Sequence, residues 1–245
     1  AGDAAVADAS TQREAAASQP APASQPASGP SRITLTLLHI NDTHGQLSGT
    51  AKVGGYARLA TAVEEFRKKS PAGTVLLFHC GDEYSRVEPL SSQSRGMANR
   101  AMMDYCGVDV WVPGNGDFYE GLDELDRRVA GGKYKTLASN VRRADGKPVA
   151  GESLVLDAAG VRVAVIGLCT VRTGPVNLKG ATVDDAAETA RRLVPKLRLS
   201  SDLVVAATHL GASEDVELAQ SVPGIDVILG GHSHTELPRG QRVKR

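Results

Sequence analysis

Seven side chains that commonly bind metal ions follow the ends of predicted strands along this chain. They are Asp42, His44, Asp82, Asn115, His209, His232 and His234. Two carboxylates, one amide and four imidazoles are a suitable donor set for two divalent cations when one carboxylate is shared between them. The residue types therefore predict a dinuclear metal centre.

Each of these residues also has an ordinary structural explanation. Gly-Asp after a strand is usually a turn, and Asn beside Gly usually takes a left-handed backbone conformation. A single His in a loop is more often a hydrogen-bonded surface residue than a ligand. The recurrence at successive strand ends is what favours a metal site, because ligands of α/β sheets gather beyond the carboxyl ends of the strands.

The elements that must position these side chains alternate between strands and helices. Strands are predicted over 33–40, 74–79, 108–112, 161–168, 203–207 and 225–229. Apolar residues at helical spacing predict helices that begin near Tyr56, Leu122 and Ala186, and a fourth helix is predicted from Ser213 through Val222. We expect Pro195 to kink the third of these helices and Ser213 to cap the fourth. This alternation predicts an α/β fold.

Composition excludes several other classes of protein. The 245 residues carry 28 Lys+Arg and 28 Asp+Glu, and this balance argues against a protein that coats nucleic acid or an anionic membrane. No apolar run approaches the roughly 20 residues that span a bilayer. The three cysteines, Cys80, Cys106 and Cys169, are widely spaced and form no CxxC, so we expect buried thiols.

Residues 1–31 consist mainly of Ala, Ser, Pro and Gln and predict a disordered tether. Tethers of this kind often separate an exported or lipid-anchored domain from a membrane. We therefore expect a periplasmic, cell-envelope or secreted location, with a lipid anchor upstream of the tether as one arrangement. The chain begins with Ala, so we expect either that a leader has been removed or that the sequence is a fragment.

The order of the motifs resembles the 5′-nucleotidase branch of the calcineurin-like metallophosphoesterases. The matching segments are Asn-Asp-Thr-His-Gly at 41–45, Gly-Gly-Tyr-Ala-Arg-Leu at 54–59, Gly-Asp at 81–82, Gly-Asn at 114–115, Ala-Ser-Asn at 138–140, Thr-His-Leu-Gly at 208–211 and Ile-Asp-Val-Ile-Leu-Gly-Gly-His-Ser-His-Thr at 225–235. The resemblance implies a layered α/β/β/α sandwich over residues 32–237, with the second sheet incomplete at the C-terminus. Residues 238–245 are expected to form a solvated basic tail.

The resemblance also implies a role for each predicted ligand. Asp42, His44 and His234 would hold one metal, Asn115, His209 and His232 the other, and Asp82 would bridge both. Asn115 would in addition orient the phosphoryl group of a small, nucleotide-like phosphoester substrate. The ions would be Mn, Zn, Fe or Co, since imidazole and carboxylate ligands suit all four.

Two positions depart from the family pattern. The family normally places a catalytic His after Gly-Asn and an orienting Asp three residues later, where this chain has Gly116 and Tyr119. Asp117 and His79 are conceivable substitutes, although we expect Asp117 to cap the next helix and His79 to lie within a strand end. The segment 83–86 also replaces a loop that usually contains Gly, so phosphate access is expected to differ there.

Three functions follow from these observations. The first is a metal-dependent phosphoester hydrolase, 5′-nucleotidase-like, with activity reduced by the loss of the His/Asp dyad. The second is a binding protein that keeps its metals and has lost catalysis. The third is a hydrolase of sulfur esters with the same fold.

Overall fold

The computed structural model describes residues 32–50, 54–170 and 180–244. The tether predicted over 1–31 lies outside the described residues, and the elements below belong to the unit Ile33–Arg245. The strands are β1 Thr36–Ile40, β2 Val75–Cys80, β3 Val110–Val112, β4 Lys135–Thr136, β5 Val141–Arg143, β6 Ser153–Ala158, β7 Val161–Cys169, β8 Ala181–Val183, β9 Leu203–His209 and β10 Val227–Leu229. The helices are α1 Gly55–Lys69, α2 Pro89–Gln93, α3 Met97–Cys106, α4 Leu122–Gly131, α5 Ala186–Arg198 and α6 Ala212–Ser221, with a short 3-10 helix over Asn115–Phe118.

The first sheet has the strand order β1-β2-β3-β4, and all of its strands are parallel. Ile40 is in register with His79, and Cys80 is in register with Val112. The carboxyl ends of β1, β2 and β3 therefore meet at one edge of the sheet, where the chain continues to four of the predicted metal ligands, Asp42, His44, Asp82 and Asn115.

The second sheet has the order β10-β9-β7-β6. Strands β7, β9 and β10 are parallel, and β6 pairs with β7 antiparallel. Cys169 is in register with His209, so β7 and β9 end level with each other. Strands β5 and β8 form a separate two-stranded antiparallel sheet. The expectation that the second sheet is incomplete stays a prediction.

Three apolar clusters fill the spaces between the layers. Phe78 and Val110 of the first sheet pack against Val165 and Val205 of the second sheet. The other face of the first sheet packs against α1, α3 and α4, and the other face of the second packs against α5 and α6. The predicted α/β/β/α layering is confirmed, since each sheet is covered on both faces as parallel sheets require.

One prediction about helix ends is wrong. Ser213 does not cap α6, because the helix begins at Ala212 and Gly211 occupies the N-cap position. The Ala212 N–H donates instead to Ser233 Oγ at 3.1 Å, so the cap comes from the loop after β10. Pro195 lies inside α5 as predicted, and the helix continues to Arg198.

Phe78 gives a direct test of the layer between the sheets. Its side chain is fully buried, so the change Phe78→Ala is expected to lower the free energy of unfolding by about 3–5 kcal/mol through lost burial and a cavity. Urea unfolding followed by circular dichroism measures this loss. Phe66→Ala is the matched control, since Phe66 is 49% exposed and its removal should cost far less. Equal losses for both variants would contradict the packing described here.

Candidate metal centre

The predicted ligands lie on turns with unusual backbone geometry. Seven non-glycine residues in the described part of the chain have positive φ, and five of them are Asp42, His44, Asp82, His232 and His234. Left-handed backbone is uncommon for such residues and concentrates at functional sites. The turns after β1 and β2 are also hydrogen-bonded to each other. The Asp42 N–H donates to Gly81 O and the His44 N–H donates to Asp82 O, both at 2.9 Å.

Asp42, His44 and His234 form one group of donors, which we call the outer group. Asp42 Oδ1 lies 3.9 Å from His44 Nε2 and 3.4 Å from His234 Nε2. The two imidazole Nε2 atoms are 3.1 Å apart. The side chains of His44 and His234 are 40% and 59% exposed, so this group faces the open side of the site. Its three donor atoms are close enough to share one cation.

Asp82, Asn115, His209 and His232 form the inner group. His209 Nε2 lies 3.3 Å from Asp82 Oδ1 and 3.8 Å from Asp42 Oδ1. The ring of His232 lies edge-on to that of His209, with centroids 5.1 Å apart. Asn115 is 5% exposed, and the next residue, Gly116, donates its N–H to Asp82 Oδ1 at 2.7 Å. This group lies deeper than the outer group, because His209 is fully buried.

The carboxylate of Asp42 is near both groups. Asp42 Oδ1 meets the donor atoms of His44 and His234 on one side and those of Asp82 and His209 on the other. The sequence resemblance implies instead that Asp82 bridges the metals. Asp82 Oδ1 lies beside His209 and the Gly116 N–H, and that role for Asp82 stays a prediction.

Three buried donor atoms of the site have no hydrogen-bond partner among the described residues. Asp42 Oδ2 accepts from Asn41 Nδ2 (2.6 Å) and from the His232 N–H (2.9 Å), while its buried Oδ1 is unpaired. His209 Nδ1 lies 2.7 Å from Cys80 O, while Nε2 is unpaired. Asn115 Oδ1 is also buried and unpaired. Buried polar atoms without partners are rare, and outer-shell contacts that orient a ligand are typical of metal sites. The residues therefore fit a metal pair.

Charge within the inner group is balanced between Asp82 and His209. Burial alone would raise the pKa of Asp82, but contacts with His209 and the Gly116 N–H outweigh burial and hold that pKa below its usual value. Burial alone would lower the pKa of His209, but Asp82 outweighs it and raises that pKa. Burial and the neighbouring His209 lower the pKa of His232. A cation that binds here competes with protons on these imidazoles.

Two glycines allow the turns to approach the ligands. A Cβ at Gly114 would lie 2.3 Å from Asp82 Oδ1. A Cβ at Gly81, whose φ is +87°, would lie 2.3 Å from His209 Nδ1. Neither position has room for a side chain, so both glycines are needed for the strand ends to converge.

The position of the missing catalytic His is directly beside the inner group. A Cβ at Gly116 would lie 3.1 Å from Asp82 Oδ1, so a side chain here would project over the site. Tyr119, at the place of the orienting Asp, packs against the guanidinium of Arg86, with 4.9 Å from Cζ to the ring centroid. Arg86 Nε also donates to Glu120 Oε1 at 2.8 Å. The surface beside the inner group thus differs from the family pattern.

Neither conceivable substitute for that His faces the open side of the site. The prediction that Asp117 caps α4 is wrong, because α4 begins after Gly121. The carboxylate of Asp117 instead accepts the Gly114 N–H at the start of its own 3-10 helix and the Tyr84 N–H of the turn after β2. His79 is fully buried, its Nε2 lies 3.2 Å from Thr43 Oγ1, and burial lowers its pKa to about 3. His79 is therefore neutral at pH 7.

The segment after Asp82 turns into the protein rather than over the site. Glu83 is fully buried and accepts a hydrogen bond from the Tyr56 hydroxyl at 3.1 Å. Burial, together with the nearby Asp117, raises the pKa of Glu83 to about 8. Sequence patterns gave no sign of this buried acid, because its contact with Tyr56 joins distant parts of the chain. Asn41, the neighbour of Asp42 in sequence, was also missed as its hydrogen-bond partner.

A two-sheet α/β sandwich with carboxylates and imidazoles gathered at its strand ends is an arrangement that can hold metal ions. Residues 35–236 match the calcineurin-like phosphoesterase family, and the chain belongs to that family. The resemblance inferred from the motifs is thereby confirmed, and so is the fold class.

Comparison with known proteins shows which members of the family this chain is similar to. The chain is 31% identical over 228 residues to the 5′-nucleotidase of Mus musculus, and the match covers 84% of this chain and 39% of the mouse protein. The solved 5′-nucleotidase precursor of Thermus thermophilus is 30% identical, with a TM-score of 0.72, and the match covers 83% of this chain and 42% of that one. The sulfate thiohydrolase SoxB of Thermus thermophilus has a TM-score of 0.76 at 20% identity over 87% of this chain and 51% of its own, a likeness of fold. The chain thus spans about two fifths of the length of the first two relatives.

Proposed function

We propose that this protein is a dinuclear-metal phosphoester hydrolase, 5′-nucleotidase-like, whose turnover is reduced by the loss of the His/Asp dyad. The observation that carries the proposal is the convergence of the outer and inner groups where the strand ends of the two sheets meet, with buried donor atoms on Asp42, Asn115 and His209 that have no hydrogen-bond partner. The 5′-nucleotidases among the relatives support a small, nucleotide-like phosphoester as substrate.

The ligand roles follow the two groups. Asp42, His44 and His234 would hold one divalent cation, and Asn115, His209 and His232 the other, with Asp82 bridging. When bound, a metal pair of this kind activates water and neutralises phosphoryl oxygens during in-line displacement. Mn, Zn, Fe and Co all suit these donors.

In this proposal the rate of phosphoester hydrolysis is limited by the lack of a proton donor beside the leaving group. Asn115 orients the phosphoryl group from the 3-10 helix after β3. Gly116 supplies no proton to the leaving oxygen and no cation beside it. Substrates with good leaving groups need neither, so aryl phosphates should react faster than nucleoside monophosphates.

A phosphatase assay tests this function. With saturating Mn, we expect measurable hydrolysis of an activated aryl phosphate and much weaker hydrolysis of nucleoside monophosphates. Asp82→Ala is the inactive control, because it removes the proposed bridging ligand. Wild-type activity no higher than that of Asp82→Ala would overturn the proposal. A sulfur ester assayed in parallel shows which class of ester is preferred.

A metal-retaining binding protein is the second candidate, and the residues at 116 and 119 are the observation that favours it. Gly116 cannot exchange a proton, and Tyr119 is packed against Arg86 rather than available to orient a partner. A chain with this role would bind metal and a phosphate compound without turnover. Calorimetric titration with a nucleoside monophosphate, followed by recovery of the intact nucleotide, would identify it.

We also propose a periplasmic, cell-envelope or secreted location, with a lipid anchor upstream of the tether as one arrangement. Among the described residues, no helix combines the length and apolar character needed to cross a membrane. Support for export comes from the composition of the tether and from relatives such as a snake venom 5′-nucleotidase. Cell fractionation of the full-length protein is the test, and recovery in the cytoplasm would contradict this location.

A further inference from the structure

The turns that follow β2 and β3 are joined by one buried carboxylate, that of Asp117. Its Oδ2 accepts a hydrogen bond from the Gly114 N–H at 2.8 Å, and its Oδ1 accepts one from the Tyr84 N–H at 2.9 Å. No part of Asp117 is exposed. Each carboxylate oxygen thus holds the backbone of a different turn.

Arg128 on α4 is the charged partner of this carboxylate. Its Nη1 lies 3.3 Å from Asp117 Oδ1, and its Nη2 donates to the backbone carbonyl of Asp117. Arg128 is only 1% exposed, and its guanidinium lies 5.4 Å from the ring centroid of Tyr84 and 5.5 Å from that of Trp111. A buried carboxylate without such a partner is strongly destabilising, so the two residues act as a unit.

The bonds of Asp117 fall close to two predicted metal ligands. Gly114 immediately precedes Asn115, and Tyr84 is the second residue after Asp82. The same two turns also touch at the centre, where the Gly116 N–H donates to Asp82 Oδ1 at 2.7 Å. The separation of the Asp82 and Asn115 donor atoms therefore depends on the Asp117 bonds.

We propose that Asp117 and Arg128 are positioning residues that fix Asp82 and Asn115 for the inner cation. This rests on the proposed metal function, and neither residue touches the metal or the substrate. The change Asp117→Asn keeps one acceptor oxygen but presents an NH₂ group to the second backbone N–H. One of the two turns is then released, and the inner group loses its geometry.

Manganese titration of metal-free protein tests the proposal. Contacts that orient metal ligands are worth about 10–100-fold in affinity, so we expect Asp117→Asn to weaken Mn binding by about that factor and Arg128→Lys to weaken it less. Ile166→Val is the core control, because Ile166 is fully buried among residues that pack against α5 and α6. Asp202→Asn is the charge control, since Asp202 pairs with Arg162 at the surface.

A merely structural role would give a different pattern. It would lower the melting temperature of the metal-free variants, as Ile166→Val does, while the folded variants bound Mn with wild-type affinity. That result would overturn the proposal. Absence of Mn binding in the wild-type protein would refute the proposed function instead.

Hydrogen exchange of the metal-free wild-type protein tests whether Asp117 holds the two turns, and this measurement does not need either variant to fold. If Asp117 holds the two turns before metal binds, the amides of Tyr84 and Gly114 should exchange as slowly as those of the buried strand β2. Exchange at the rate of an exposed loop would show that the turns are not held and would overturn the proposal.

Discussion

The double change Gly116→His with Tyr119→Asp is expected to raise kcat for nucleoside monophosphates by about 10²–10⁴-fold, the usual contribution of a general acid. The backbone at Gly116 is not left-handed, and a Cβ there lies 3.1 Å from Asp82 Oδ1, so a side chain fits with a small adjustment. Tyr119→Asp removes the ring that packs against Arg86 and supplies a carboxylate to orient the new imidazole. Steady-state kinetics with saturating Mn measure the gain.

Two controls separate this chemistry from a change of shape. Gly116→Ala fills the same space without a proton donor and should leave kcat nearly unchanged. Aryl phosphates with good leaving groups should gain much less than nucleoside monophosphates from the double change. A double variant that binds Mn normally but gains no activity would favour the binding protein over the hydrolase.

His209→Ala is expected to have the largest effect on metal binding, with affinity for the inner cation lowered by more than about 100-fold. Loss of an outer-shell contact alone costs about 10–100-fold, and His209 is proposed as a direct ligand. It is fully buried, its Nδ1 is held by Cys80 O, and its Nε2 points at Asp82. Competition with a fluorescent chelator measures the change.

His39→Ala is the matched control for that variant. His39 is an exposed residue of β1, the strand that leads to Asp42 and His44 of the outer group. Its Nε2 lies 3.2 Å from Gly230 O. Its removal should leave Mn affinity within a few-fold of the wild-type value. Similar losses from His39→Ala and His209→Ala would mean that the imidazoles bind metal without the selectivity proposed here.

Long, strongly patterned elements were predictable from the sequence. The mostly apolar run at 161–168, with Val or Ile at four of its eight positions, predicted β7. The helical spacing from Leu122 predicted the core face of α4. Strands β4, β5 and β8 were missed because two or three residues are too short to show a period. Strand β6 and helices α2 and α3 were also missed. The cap of α6 was missed because Ser233 reaches it from a distant part of the chain.

The candidate site also has features that the sequence predicted and features that it did not. Glycine and polar residues at strand ends predicted where the donors gather, because parallel strands bring their carboxyl ends together. The same pattern misplaced Asp117, since its partners Tyr84 and Arg128 are set by tertiary packing. Nothing in the spacing of the sequence indicated that Asp42 belongs to both groups of possible metal ligands.

The central claim is that the outer and inner groups together hold two divalent cations. The most direct test is elemental analysis of the purified protein by mass spectrometry after equilibration with Mn and removal of free metal. We expect close to two metal ions per chain for the wild-type protein and a clear loss for His209→Ala. Fewer than one metal ion per chain in the wild-type protein would contradict the dinuclear centre and the function proposed from it.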